Sequence, residues 1–165
     1  MFCKDLFISI SFCFATFVSA AQVVDVDDKK PASVNGIEYG YIIKNEQVKS
    51  ASNEEFSRFE ITLYATNKSG CTKLYADKFS SDGKPNVMAT FYCNNANGKR
   101  LTAKGGDISA KEFDVPVKVN DKTTSIKVGY IFRNGETVRN NIIVLVPKGD
   151  KPVMQCTLNY LPELQ

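Results

Sequence analysis

Past the first twenty residues the chain carries three cysteines, Cys71, Cys93 and Cys156, and it has no histidine anywhere. A thiol attacks as the thiolate, and its usual activating base is a neighbouring imidazole. Without histidine, Ser-His-Asp and Cys-His hydrolases are excluded, as are His-ligated zinc and copper sites. The one side chain that titrates near neutrality by default is also gone. Paired carboxylates can still do acid–base work, as in glycosidases. Glu60, Glu112 and Asp114 are the candidates, yet nothing in their spacing separates them from ordinary surface charge. Asp107 follows Gly105-Gly106, but no Gly-x-x-x-x-Gly-Lys loop surrounds it to cradle a phosphate. Asp25, Asp27 and Asp28 lack the glycine and distal glutamate of a calcium loop. The sequence therefore assigns no catalytic residue, no metal ligand and no cofactor, and the expectation is a protein that is not an enzyme.

What remains is binding chemistry. Thr62 and Tyr64, and Thr90 and Tyr92, fall on the polar sides of two expected strands. If those strands share a sheet, the four side chains form a flat face able to hold a sugar ring or a partner protein. Ordinary cross-strand packing of tyrosine with threonine explains the same pattern without a ligand. A second candidate is the polar, basic hairpin tip built from Asn95, Asn97, Lys99 and Arg100. Such loops carry recognition when a rigid scaffold holds them, though most turns are polar anyway. Asn67-Lys68-Ser69 matches a glycosylation acceptor, which matters only in a eukaryotic secretory pathway.

These residues sit in segments of period two, the signature of half-buried strands. Ile37, Tyr39, Tyr41 and Ile43 alternate, as do Phe59, Ile61, Leu63 and Ala65, and Val87, Ala89, Phe91 and Cys93. Ile126 to Phe132, Ile142 to Val146 and Met154 to Tyr160 follow the same rule. Turn dipeptides punctuate them at Asn35-Gly36, Ser69-Gly70, Asp82-Gly83, Asn97-Gly98, Gly105-Gly106, Asn134-Gly135 and Lys148-Gly149. No stretch keeps a 3.6 period for three turns; residues 50–56 have room for one helical turn. The expected fold is all-β, a single antiparallel β-sandwich of immunoglobulin or fibronectin kind with seven to eight strands. A closed barrel is the runner-up.

Parity of burial selects the hairpins. A three-residue loop at 133–135, with Gly135 in the left-handed conformation, places Tyr130 opposite Val138 and Ile126 opposite Ile142. The same loop at 96–98 pairs Cys93 with Leu101 and Phe91 with Ala103. A four-residue loop at 67–70 pairs Leu63 with Leu74 and Ile61 with Ala76. Cys71 and Cys93 then both lie near turns at strand ends, and they are the favoured disulfide. All three cysteines as reduced core residues is the competing reading. Cys156, on an apolar face, reads as a buried thiol.

The compartment comes from residues 1–21. A weakly basic start, an apolar run from Leu6 to Val18 and small residues at Ser19-Ala20-Ala21 have the order of a cleaved signal peptide. Residues 22–33 read as a charged linker and 34–165 as the domain. The whole chain has 21 Lys+Arg against 18 Asp+Glu, and removing the leader takes one of each. A surplus this small and this dispersed gives no support for nucleic-acid binding. The longest later apolar run, Ile142 to Val146, is too short to span a bilayer. The sequence thus predicts a secreted or periplasmic binding or interaction module. Its partner would be an exported or cell-surface protein, or alternatively a glycan or other small ligand.

Overall fold

A computed structural model describes residues 22–27, 30–51, 54–76, 86–95, 97–101, 105–159 and 163. The signal-peptide segment, Asp28, Asp82-Gly83, Ala96, Ala103 and Tyr160 lie outside the described residues. The described residues form eleven strands: β1 (Gln22–Val26), β2 (Ala32–Val34), β3 (Ile37–Ala51), β4 (Glu54–Asn67), β5 (Lys73–Ala76), β6 (Val87–Asn94), β7 (Gly106–Ser109), β8 (Lys111–Val119), β9 (Lys122–Phe132), β10 (Thr137–Pro147) and β11 (Val153–Leu158). They build three antiparallel sheets, ordered β1-β11-β6-β7, β10-β4-β3-β2 and β5-β9-β8. The chain is all-β, as its alternation dictates. Three open sheets replace the expected two, and none closes into a barrel.

One core joins them. From the first sheet come Val26, Phe91, Cys93, Met154 and Cys156. The second adds Tyr39, Phe59, Ile61, Leu63 and Val144, and the third adds Tyr75, Tyr130 and Phe132. β4 is one of the two inner strands of its sheet. It pairs with β3 on one side and β10 on the other, and its inward set, Phe59 to Ala65, is at most 3% exposed. Each large side chain buried this way stabilises the fold by about 1.5–3 kcal/mol.

Several expectations fail, for one shared reason. Of the residues expected as a linker, 22–26 and 32–33 lie in two edge strands. Val26 lies opposite Met154 and is buried, while Asp25 points outward, so five residues suffice to alternate. Of the helical turn expected at 50–56, residues 50–51 and 54–56 are strand, with Ala51 opposite Glu54, and 52–53 lie outside the described residues. At 67–70 and 133–135 no hairpin forms, and the chain changes sheets instead. Leu63 faces Tyr41 and Asn140, not Leu74, and Tyr130 faces Tyr75 and Glu112, not Val138. Ile126 faces Val115 rather than Ile142. Gly135 does adopt the left-handed φ of 75°. Parity fixed the faces correctly, because Val138 and Ile142 satisfy it against Ala65 and Ile61 of β4. It could not name the partner strand.

Asn67 holds both sheet changes. It is 0% exposed. Its Nδ2 donates to the carbonyls of Cys71 and Phe132, each at 2.9 Å. Its Oδ1 accepts from the amide and hydroxyl of Ser69. Its backbone exchanges bonds with the 133–136 turn, donating to Glu136 O and accepting from Gly135 N. The nitrogen a glycan would need is thus spent twice inside the fold, so the Asn67 acceptor pattern is structural.

The expected Cys71–Cys93 disulfide is also absent. Cys71 is exposed in the turn that leads to β5, in the third sheet, whereas Cys93 is buried in β6, opposite Met154 in the first. A residue carried into another sheet has no strand neighbour in common with its intended partner. Cys156 is buried opposite Phe91.

Candidate functional site

Thr62 and Tyr64 stand on β4, and Thr90 and Tyr92 on β6. These strands belong to different sheets whose inner faces share one core. The four side chains therefore point away from that core on separate outer surfaces, and no common tyrosine face exists. Each pair has a local occupation. Thr62 is 3% exposed and donates to Asn141 Oδ1 at 2.7 Å. The Tyr64 ring lies across Gly40, where a β-carbon would come within 2.3 Å of the phenol oxygen. Aromatic cover of a cross-strand glycine stabilises a sheet. Thr90 donates to Asp107 Oδ1 at 2.8 Å. Tyr92 lies against Gly105 and carries the Arg100 guanidinium 3.7 Å above its ring centroid.

That last contact joins one residue of the expected face to one of the expected loop. Within the loop, Asn95 caps the turn. Asn95 Oδ1 accepts from the amides of Asn97 and Lys99. The Cys93–Leu101 pairing is present through Leu101 N donating to Cys93 O at 2.8 Å. Register then shifts, and Phe91 meets Gly106.

Glu60 does not converge with Glu112 and Asp114, which both lie beside Lys127. Glu60 pairs with Arg58 at 2.6 Å on the second sheet, while Glu112 pairs with Lys127 at 3.3 Å on the third. Asp114 lies opposite Lys127 on β9. Burial pushes the Cys156 thiol up to about 12 and the Cys93 thiol up to about 11, opposite to the shift a nucleophile needs. An open depression of about 240 Å³ between Lys44, Glu60, Asn141 and Ile143 is smaller than the roughly 300–1,000 Å³ of ordinary ligand pockets. Among the described residues no group of acidic and cysteine side chains is placed to hold a metal ion. No helix among them is long and apolar enough to cross a membrane.

A further surface feature, absent from the sequence candidates, lies on the third sheet. β8 and β9 join through Asn120-Asp121, both at positive φ, and run past the end of β5 as a two-stranded arm of the third sheet. From Asp114 to Val119 on β8, register is unbroken against Lys122 to Lys127 on β9. Val115 faces Ile126, Val117 faces Thr124 and Val119 faces Lys122, which puts these six on one side. Asp114, Pro116, Lys118, Thr123, Ser125 and Lys127 take the other. Ile126 is 51% exposed and Val119 52%. The arm is thus amphipathic, with its apolar side in water.

Two clamps fix the arm's base. Lys127 Nζ reaches the Tyr130 hydroxyl at 2.6 Å and also the Glu112 carboxylate. Lys111 pairs with Glu136 in the next turn. Burial works against ionising Glu136. Lys111 and the Arg133 amide outweigh it and hold the carboxyl below the usual range. The signal for this arm was present in the alternation of Phe113, Val115, Val117 and Val119. Pro116 masks it, because proline inside a run argues against a strand unless the strand is an edge, which β8 is.

Comparison with protein-family models, with curated proteins and with solved structures gives no match to this chain.

Proposed function

We propose that this chain is an exported, non-enzymatic interaction module, and that the apolar side of the β8–β9 arm is its contact surface. In this reading the two four-stranded sheets serve as the layers of a β-sandwich scaffold, and the arm is the part presented to a partner protein. The observation that carries the reading is the exposure of Val115, Val119 and Ile126 on one side of a ribbon with polar residues on the other. Contiguous apolar surface of that kind marks an interaction site more often than chance exposure does. The leader-like N-terminus supports an exported setting. The glycan alternative draws less support, because the two tyrosines lie on separate surfaces and each ring packs against glycine backbone.

Affinity capture from the exported fraction of the source tests this. The wild-type chain is expected to retain a protein in stoichiometric amount, and a Val115→Lys/Ile126→Lys chain to lose it. Equal retention by both would count against the arm. Recovery of polysaccharide alone would count against the protein-partner reading.

A further inference from the structure

The three sheets have six edge strands, and five are protected in recognisable ways. β2 has three residues and β7 four. β1 has five and carries Asp25 outward. β5 has four, and Glu163 bridges to Tyr75 while accepting from Lys73 Nζ at 2.9 Å. β8 is longer but holds Glu112, Asp114, Pro116 and Lys118. Short length, charge, proline and cover are the standard devices that stop one edge from pairing with another.

β10 is long, its charge and proline stand only near its ends, and β7 touches its inner side, where Asn140 Nδ2 donates to the Asp107 carbonyl at 2.9 Å. The strand runs for eleven residues, and its register with β4 is unbroken from Thr137 to Pro147. Between Arg139 and Pro147 it has neither charge nor proline. Ile143 and Leu145, on its outer side, are 58% and 56% exposed. Among the described residues no strand pairs with its second edge. A long, flat, uncharged edge is a template for another strand.

We infer that β10 pairs antiparallel with β10 of a second copy of this chain, about a two-fold axis at Ile143. The strand complements itself in that register. Ile143 lies beside Ile143 of the other copy, Ile142 beside Val144, and Asn141 beside Leu145. Arg139, the only charge on the strand, meets Pro147 and not its own copy, so no like charges are opposed. Inner sides stay inner across the axis, and the second sheet continues as eight strands through both copies. An isologous contact of this kind closes at two subunits. A foreign extended segment would use the same backbone groups, but nothing on β10 selects one, whereas its own sequence satisfies the register throughout.

Sedimentation equilibrium of the purified chain, alone and in mixtures, tests the inference. Wild type is expected to be a dimer. Ile143→Lys and Ile143→Glu, changes at an exposed position that leave the circular dichroism spectrum unaltered, should each weaken self-association by about tenfold or more. An equimolar mixture of the two should regain dimer, because the register sets position 143 against itself. The arm variant Val115→Lys/Ile126→Lys should dimerise like wild type, which separates this interface from the proposed partner surface. A wild-type monomer at every soluble concentration would overturn the inference. So would single variants that dimerise normally, a mixture that stays monomeric, or an arm variant that loses the dimer.

Discussion

β9 lives in two environments. Its last four residues, Gly129 to Phe132, are buried, and Tyr130 and Phe132 are at most 1% exposed. Its first seven, Lys122 to Val128, are all exposed, although Ile126 and Val128 continue the same alternation. Both halves pair with β8. The buried half also pairs with β5 and adds Tyr130 and Phe132 to the core, while the outer half pairs as a strand with β8 alone among the described residues. Alternation therefore specifies a strand with an apolar side. Whether that side is buried depends on a further layer that local sequence does not encode. A two-stranded ribbon alone is marginal in water, so the arm borrows its order from the base clamps and from the buried end of β9.

If body and arm differ in this way, substitutions should rank accordingly. Phe91→Ala in the body should cost about 3–5 kcal/mol, seen as a large drop in the denaturant midpoint. Asn67→Ala should cost about 1–3 kcal/mol, since it leaves the buried Phe132 carbonyl without its donor and frees Ser69 and Cys71 at the junction of two sheets. A loss for Asn67→Ala no larger than that of a surface change would remove the junction from the account.

The arm's base should show a smaller, pH-dependent effect. The Glu136 pKa is lowered in the fold. The stability it contributes is therefore complete above the ordinary glutamate range and is lost as pH falls through the lowered folded value. Its partner Lys111 is well exposed, so the effect should be about 1 kcal/mol or less. Glu136→Gln should flatten the acid limb of the stability profile by that amount. An unchanged acid limb would show that the clamp does not support the fold. At the distal arm, hydrogen exchange of the amides from Val115 to Ile126 should be much faster than that of β4. Protection equal to β4 would mean the arm is covered in solution.

The sequence made the strand class, the apolar sides and the buried Cys156 legible, because period two and residue type determine them. Turn chemistry was legible too. Asn35-Gly36 makes a two-residue turn with both φ positive, joining Val34 to Ile37. Partner choice was not legible. The turns after Asn67 and Phe132 have hairpin composition, yet the buried Asn67 amide ties them to each other rather than closing either on itself. The disulfide and the tyrosine face failed as consequences, since each assumed neighbours that lie in different sheets. Arg100 over Tyr92 was half visible, as two separate candidates that only the fold brings together.

The central claim is that the apolar side of the arm takes no part in holding the fold. Equilibrium unfolding of Val115→Lys/Ile126→Lys beside wild type tests it most directly. The two unfolding free energies are expected to agree within about 0.5 kcal/mol, the range of ordinary surface changes. A loss approaching that of Phe91→Ala would contradict it and would place the arm's apolar side inside the core.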